Sequence, residues 1–222
     1  MAHELMVSGD RVVCLVGGSM IENADISAVS EFVDCFIGVD GGADHLLAAG
    51  ITPRMVIGDL DSLSCHSRAT FAHLLCHVSE QETTDFEKAL TRVAAPMIIA
   101  LGFTGGRLDH TLAVLNVMAR HPERSIVLVD EYDASFLAQV GETRIALPAK
   151  SRLSLMPLSD VRVTATGLRW PLHDAQMHPT GMISSSNEMA AELAVIRTDR
   201  PLLVTLPREH LPSALQAAAR VE

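Results

Sequence analysis

The chain has 222 residues, which suits one large domain or a larger domain with a small one attached. Hydrophobic residues form 48% of it and aromatics only 4%, so a core must rest on Val, Leu, Ile, Ala and Met. A formal net charge of -10, from 27 acidic against 17 basic residues, argues against binding nucleic acid, where a basic face neutralises phosphates; a small phosphate ligand bridged by a divalent cation stays open.

Met1-Ala2-His3-Glu4 has neither the charged start nor the apolar run of a secretory leader, and no stretch approaches the roughly 18 apolar residues of a membrane span. Apolar runs at 11–16, 35–39, 55–57, 97–101 and 125–129 predict buried strands. Helical patterns lie between them: 44–49 closing on Gly50, 85–93 with Phe86, Leu90 and Val93 on one side, and 109–118 stopped by His121-Pro122. Strands alternating with helices imply a parallel sheet covered on both faces. Cys14, Cys35, Cys65 and Cys76 form no Cys-x-x-Cys pair and read as reduced thiols of a cytoplasmic protein. Cys65, His66, His73, Cys76 and His77 are zinc-ligand types, with His73 and His77 spaced for one helix face. The simpler reading of that segment is a helix running into a strand.

After about residue 138 the runs shorten and alternate, at 143–147, 152–158, 161–166, 182–186, 193–198 and 202–206, with Gly, Pro, Asp and Asn between them. That pattern predicts antiparallel structure. The expected fold is therefore α/β: an N-terminal parallel-sheet α/β domain over 1–140, then a small C-terminal antiparallel β-sandwich domain over 141–222.

Three predicted strand ends are unusually polar: Val39-Asp40-Gly41-Gly42, Gly58-Asp59-Leu60-Asp61-Ser62, and Gly102-Phe103-Thr104-Gly105-Gly106-Arg107-Leu108-Asp109-His110. Ligands of open parallel sheets bind beyond the carboxyl ends of the strands, so these segments should share one cleft. Asp59 and Asp61, two apart on a segment read as extended, can point the same way; two such carboxylates repel unless a cation such as magnesium lies between them. Gly41, Gly42, Gly105 and Gly106 let backbone amides approach phosphate oxygens, and Arg107 can fork onto a phosphate. In Gln81-Glu82-Thr83-Thr84-Asp85, Thr84 or Asp85 can cap the next helix, or Asp85 can turn to a metal. Taken singly, Asp-Gly-Gly is an ordinary turn, Asp85 an N-cap and Asp109 a first-turn acid; their joint occurrence at successive strand ends favours a site. Lys88 and Lys150 are the only lysines and neither fits a P-loop, so a nucleotide here would be held by metal and backbone amides.

With these residues in place, the chain resembles the thiamine pyrophosphokinase family along nearly its whole length. The resemblance rests on Asp40-Gly41-Gly42-Ala43, Pro53 with Ile57-Gly58-Asp59-Leu60-Asp61-Ser62, Thr84-Asp85-Phe86-Glu87-Lys88-Ala89-Leu90, and Gly105-Gly106-Arg107-Leu108-Asp109-His110. Thr166-Gly167-Leu168-Arg169-Trp170-Pro171-Leu172 and Ser185-Ser186-Asn187-Glu188 continue it. It implies transfer of diphosphate from ATP to the thiamine hydroxyl, with AMP leaving, in a homodimer whose active sites lie at the subunit interface. It further implies Mg2+ on Asp59, Asp61 and Asp85, and ATP along Asp40, Gln81, Thr84, Arg107 and Asp109. Thiamine would meet Trp170, Ser186 and Asn187. Trp170, the only tryptophan, can stack on an aromatic or a cationic ligand, and thiamine offers both. Glu82 stands where the family usually has Asp, Arg54 where an acid is common, and Val114 where Asn is frequent. A diphosphokinase acting on another alcohol, such as a pterin, and a non-catalytic nucleotide sensor remain alternatives; the first is opposed by the Trp170 segment, the second by the retention of three acids.

Overall fold

Aliphatic strands buried on both faces frame the N-terminal part of the protein, in a computed structural model that describes residues 7–8 and 12–220. In chain order come β1 (Val7–Ser8), β2 (Val12–Val16), α1 (Asn23–Ser30), β3 (Cys35–Val39), α2 (Gly42–Ala48), β4 (Met55–Gly58), α3 (Cys65–Thr70), β5 (Leu75–His77), α4 (Asp85–Leu90), β6 (Val93–Ala94), β7 (Met97–Leu101) and α5 (Leu108–Arg120). Strands β7, β2, β3, β4 and β5 lie side by side and all parallel, so their carboxyl ends form one edge. Val13 to Val16 and Ile98 to Leu101 have no exposure at all, as continuous apolar runs in a doubly covered parallel sheet should.

The chain divides into two compact units, Met1–Val117 and Met118–Glu222, and the change of sequence period at Gly141 coincides with the start of a strand in the second. That unit contains β8 (Ile126–Val129), β9 (Asp133–Ala138), β10 (Gly141–Ala146), β11 (Arg152–Met156), β12 (Val161–Thr166), β13 (Leu172–Met177), β14 (Ser184–Glu188), β15 (Leu193–Thr198), β16 (Leu202–Pro207) and α6 (Leu211–Ala218). Pairing is antiparallel throughout, in the orders β14-β11-β16-β9-β8 and β10-β15-β12-β13. In β12, Val161, Val163 and Ala165 point inward while Arg162 and Thr166 face water, the two-residue period of a half-buried strand.

Three local differences from the sequence reading have physical causes. The helix expected over 85–93 ends at Leu90, because the Thr91 hydroxyl and Arg92 guanidinium take over its last carbonyls: Thr91 Oγ1 donates to Glu87 O at 2.9 Å and Arg92 Nη1 to Lys88 O at 2.9 Å. Val93–Ala94 then pairs in parallel with Val7–Ser8. Residues 65–77 do run from helix α3 into strand β5, and their histidines and cysteines do not gather; among the described residues the only grouping of metal-ligand types is Asp40, Asp59 and Asp61. Finally, the segment through Asp59 and Asp61 is not extended, since Leu60 between them is left-handed (φ 64°).

Candidate functional site

Each parallel strand delivers one polar segment to the same edge of the sheet. Asp40 follows β3 directly in the left-handed region (φ 47°), held by its N–H donating to Ile57 O at 2.8 Å, and the residue is 7% exposed. After β4, the Leu60 side chain drops into a pocket with Ala43, Val56, Leu63 and Phe71, and Arg68 donates to the Leu60 carbonyl. That apolar anchor holds a bulky residue in a conformation it rarely adopts, and the turn leaves Asp59 and Asp61 on either side of it. Gly42, opening α2, has no alternative: a Cβ there would sit 1.8 Å from the Val16 carbonyl oxygen, so glycine lets α2 pack onto β2.

Ligand oxygens of Asp40, Asp59 and Asp61 lie within 4.8 Å of one another. Asp40 Oδ1 is buried and has no hydrogen-bond partner among the described residues. Burial pushes the Asp40 carboxyl above its ordinary pKa; a hydrogen bond from Ser62 opposes this, and the charges of Asp85 and Asp59 add to it. Asp59 behaves differently. Burial acts to raise its pKa, but the Asp61 N–H (3.4 Å), the Lys88 ammonium (3.3 Å) and Gln81 Nε2 (3.2 Å) outweigh it and hold the carboxyl below its usual range.

Lys88 is the counter-ion of this corner. It is 2% exposed, and its Nζ bonds Asp59 Oδ2 at 3.3 Å and Asp85 Oδ1 at 3.0 Å. Burial disfavours its charge, but the bonds and charges of Asp85 and Asp59 win, and its pKa is raised. Thr84 caps α4, accepting from Glu87 N at 3.3 Å, which places Asp85 in the first turn with Lys88 one turn later. The sequence marks Lys88 only as part of a motif and as a lysine that fits no P-loop. A lysine inside a helix buried from Phe86 to Leu90 was the available signal that carboxylates wait beside it.

One ammonium cannot balance Asp40, Asp59, Asp61 and Asp85, and the buried Asp40 oxygen is an acceptor that no described residue meets. Hard oxygen donors with a surplus of negative charge fit a divalent cation such as magnesium. Beyond β7, Gly105 (φ 80°) opens into free space, and Arg107 is forked onto Asp109 at 3.1 and 2.5 Å, both side chains exposed. Val114 is 4% exposed in the core, which accounts for an apolar residue at that position. Arg54 is exposed, and its N–H ties the chain to Phe36 O at 2.8 Å.

The second unit carries the remaining candidates. Trp170 is 53% exposed. Asn187, 2% exposed, gives its side chain to the segment that presents the indole: Oδ1 accepts from Trp170 N (3.2 Å) and Glu188 N (2.8 Å), while Nδ2 donates to Trp170 O (2.8 Å) and Ser184 Oγ (3.0 Å). Asn187 therefore reaches a ligand only by surrendering one of these bonds. Ser186 is left-handed (φ 55°), with its N–H on Ser154 Oγ at 2.9 Å.

Parallel strands that carry acids and glycine turns at their carboxyl ends define an α/β protein with its candidate ligand site along that edge. The family model described as the thiamin pyrophosphokinase catalytic domain matches residues 27–129, and that described as its vitamin B1 binding domain matches 142–203. A thiamine pyrophosphokinase of Bacillus subtilis (strain 168) is 30% identical over 187 residues, 79% of this chain and 87% of the relative. This chain belongs to the thiamine pyrophosphokinase family. Thiamine pyrophosphokinase 2 of Arabidopsis thaliana is 27% identical over 173 residues; the match covers 69% of this chain and 65% of that relative, so the chain spans just under two thirds of its length. The solved thiamin pyrophosphokinase from Candida albicans shares the fold, with a TM-score of 0.78 at 17% identity over 92% of this chain and 93% of that one.

Proposed function

We propose that the chain transfers the diphosphate group of ATP to the hydroxyl of thiamine, giving thiamine diphosphate and AMP. The observation that carries this reading is the carboxylate cluster of Asp40, Asp59 and Asp61, with a buried oxygen unpartnered among the described residues, at the strand ends of a chain belonging to this family. Mg2+ would be held by Asp59, Asp61 and Asp85, with Asp40 beside them. Bound there, it would neutralise polyphosphate charge, which this class of transfer needs more than a covalent nucleophile.

The chain's own groups do the rest. Lys88 keeps Asp59 ionised and holds both Asp59 and Asp85 in place, and Gln81 orients Asp59. ATP would lie along Asp40, Gly41, Gly42, Gln81, Thr84, Gly105, Arg107 and Asp109, with Arg107 released from Asp109 to fork onto phosphate. The indole of Trp170 would stack on thiamine, Ser186 would contact it, and Asn187 would position the indole. Residues 1–140 would then form the ATP-binding catalytic domain and 141–222 the thiamine-binding and dimerisation domain, in a cytoplasmic homodimer. Trp170, Met182, Ile183 and Leu193 remain exposed in the second unit, which supports pairing with another copy. The direct test is mass detection of thiamine diphosphate after incubation with ATP, thiamine and magnesium, and its absence with a chelator. Thiamine left unreacted while a pterin alcohol supplied in its place is diphosphorylated would assign the chain to the sister reaction; nucleotide binding without any product would make it a sensor.

A further inference from the structure

The Trp170 indole has one face already taken. The Arg169 guanidinium lies over the ring, its carbon 4.8 Å from the centroid, at cation–π distance. The guanidinium also meets the Glu188 carboxylate, and the Arg169 backbone is tied into the neighbouring strand. Arg169 N–H donates to Glu188 O at 2.7 Å, Nη1 reaches Glu188 Oε2 at 3.5 Å, and the preceding Leu168 bridges Met189 in antiparallel pairing. Asn187 grips both backbone groups of Trp170, and the guanidinium lies on the ring that this backbone presents.

This matters because thiamine has two rings of unlike charge. An indole face attracts a cation through the negative pole of its quadrupole. A guanidinium on one face draws on that same electron density, and a thiazolium on the other would leave two like charges about 8 Å apart across the ring. The Glu188 carboxylate weakens that repulsion at its distance of 3.5 Å without removing the ring's existing cation. A neutral aminopyrimidine pays neither penalty and gains from a polarised stacking partner.

We infer that Arg169 is a specificity-determining residue: by covering one face of Trp170 it withholds the indole from the thiazolium and selects the neutral aminopyrimidine ring of thiamine for stacking on the free face. The inference rests on the placing of thiamine at Trp170. Because Trp170 is the only tryptophan, its fluorescence reports this corner and no other. The full-length protein is titrated with thiamine, with the aminopyrimidine alcohol alone and with the N-methylated thiazolium alcohol alone, as wild type, Arg169→Gln and Arg169→Lys.

In the wild type the pyrimidine should bind more tightly than the thiazolium. Arg169→Gln should tighten the thiazolium by about two- to fivefold, the scale of an exposed cation–π contact, and change the pyrimidine less than twofold. Arg169→Lys, which keeps the charge, should stay near wild type. If Arg169→Gln leaves the thiazolium unchanged or weakens both fragments alike, Arg169 is only a prop and the selection fails. Thiamine that leaves the fluorescence unchanged while thiamine diphosphate still forms would overturn the placing at Trp170 itself, and this inference with it.

Discussion

Asp40 and Asp59 are neighbours in the cluster, yet the protein treats them in opposite ways. Crowded acids taken alone suggest that removing either relieves repulsion. Lys88 makes Asp59 the exception: its lowered pKa means that the ionised form adds stability above the unfolded-state value near 3.8, lost as pH falls through the folded value. Asp40 has a raised pKa, so its ionised form costs stability: the cost is absent below 3.8, grows as pH rises from there, and is fully present above the folded value. At pH 7 without divalent cations, Asp40→Asn should therefore raise the melting temperature and Asp59→Asn should lower it. Both should lose turnover. Thermal unfolding in chelator checks the signs, and a shift of the same sign for both would remove Lys88 as the deciding partner. The acids were legible in the sequence because paired carboxylates at a strand end have few structural uses. The left-handed Leu60 that divides them was not, because a leucine carries no local sign of positive φ, and only its burial holds it there.

A clear period marks most elements in the sequence, though it overextends the helix at 85–93, and elements without one leave little sign. The buried strands 35–39 and 97–101 announce themselves by aliphatic runs, and β12 and β15 by alternation. Helix α1 buries only Ile26 and Val29 and was missed. Strand β13 was missed too, as its Leu-His-Asp-Ala-Gln-Met run is polar and bends at Asp174 (φ 48°). Helix α6 carries Pro in its first turn, a start signal that went unused. The end of β14 tests how an element serves the site. Asn187→Ala strips partners from Trp170 N–H and C=O and from Glu188 N–H, an expected loss of about 1–3 kcal/mol in stability. Thiamine affinity should fall while affinity for a non-hydrolysable ATP analogue holds. Unchanged thiamine affinity would mean that Asn187 serves the fold alone.

For the whole molecule, the candidate phosphate cluster lies in one compact unit and Trp170 in the other. Among the described residues no helix is long and apolar enough to cross a membrane. If each active site joins the carboxylates of one subunit to the Trp170 of its partner, Asp59→Asn and Trp170→Ala homodimers should both be nearly inactive. Mixed dimers carry one site with both defects and one with neither. Refolding the two variants together should then restore about a quarter of wild-type activity, since half the dimers are mixed and half their sites intact. Mixed dimers shown by mass to have formed, but inactive, would mean that every subunit builds its own site. The claim beneath all of these is the transfer of two phosphoryl groups as a unit, and the most direct measurement is the nucleotide by-product. With ATP, thiamine and magnesium, AMP and thiamine diphosphate should accumulate one to one with no ADP; ADP with thiamine monophosphate, or AMP without phosphorylated thiamine, would contradict it.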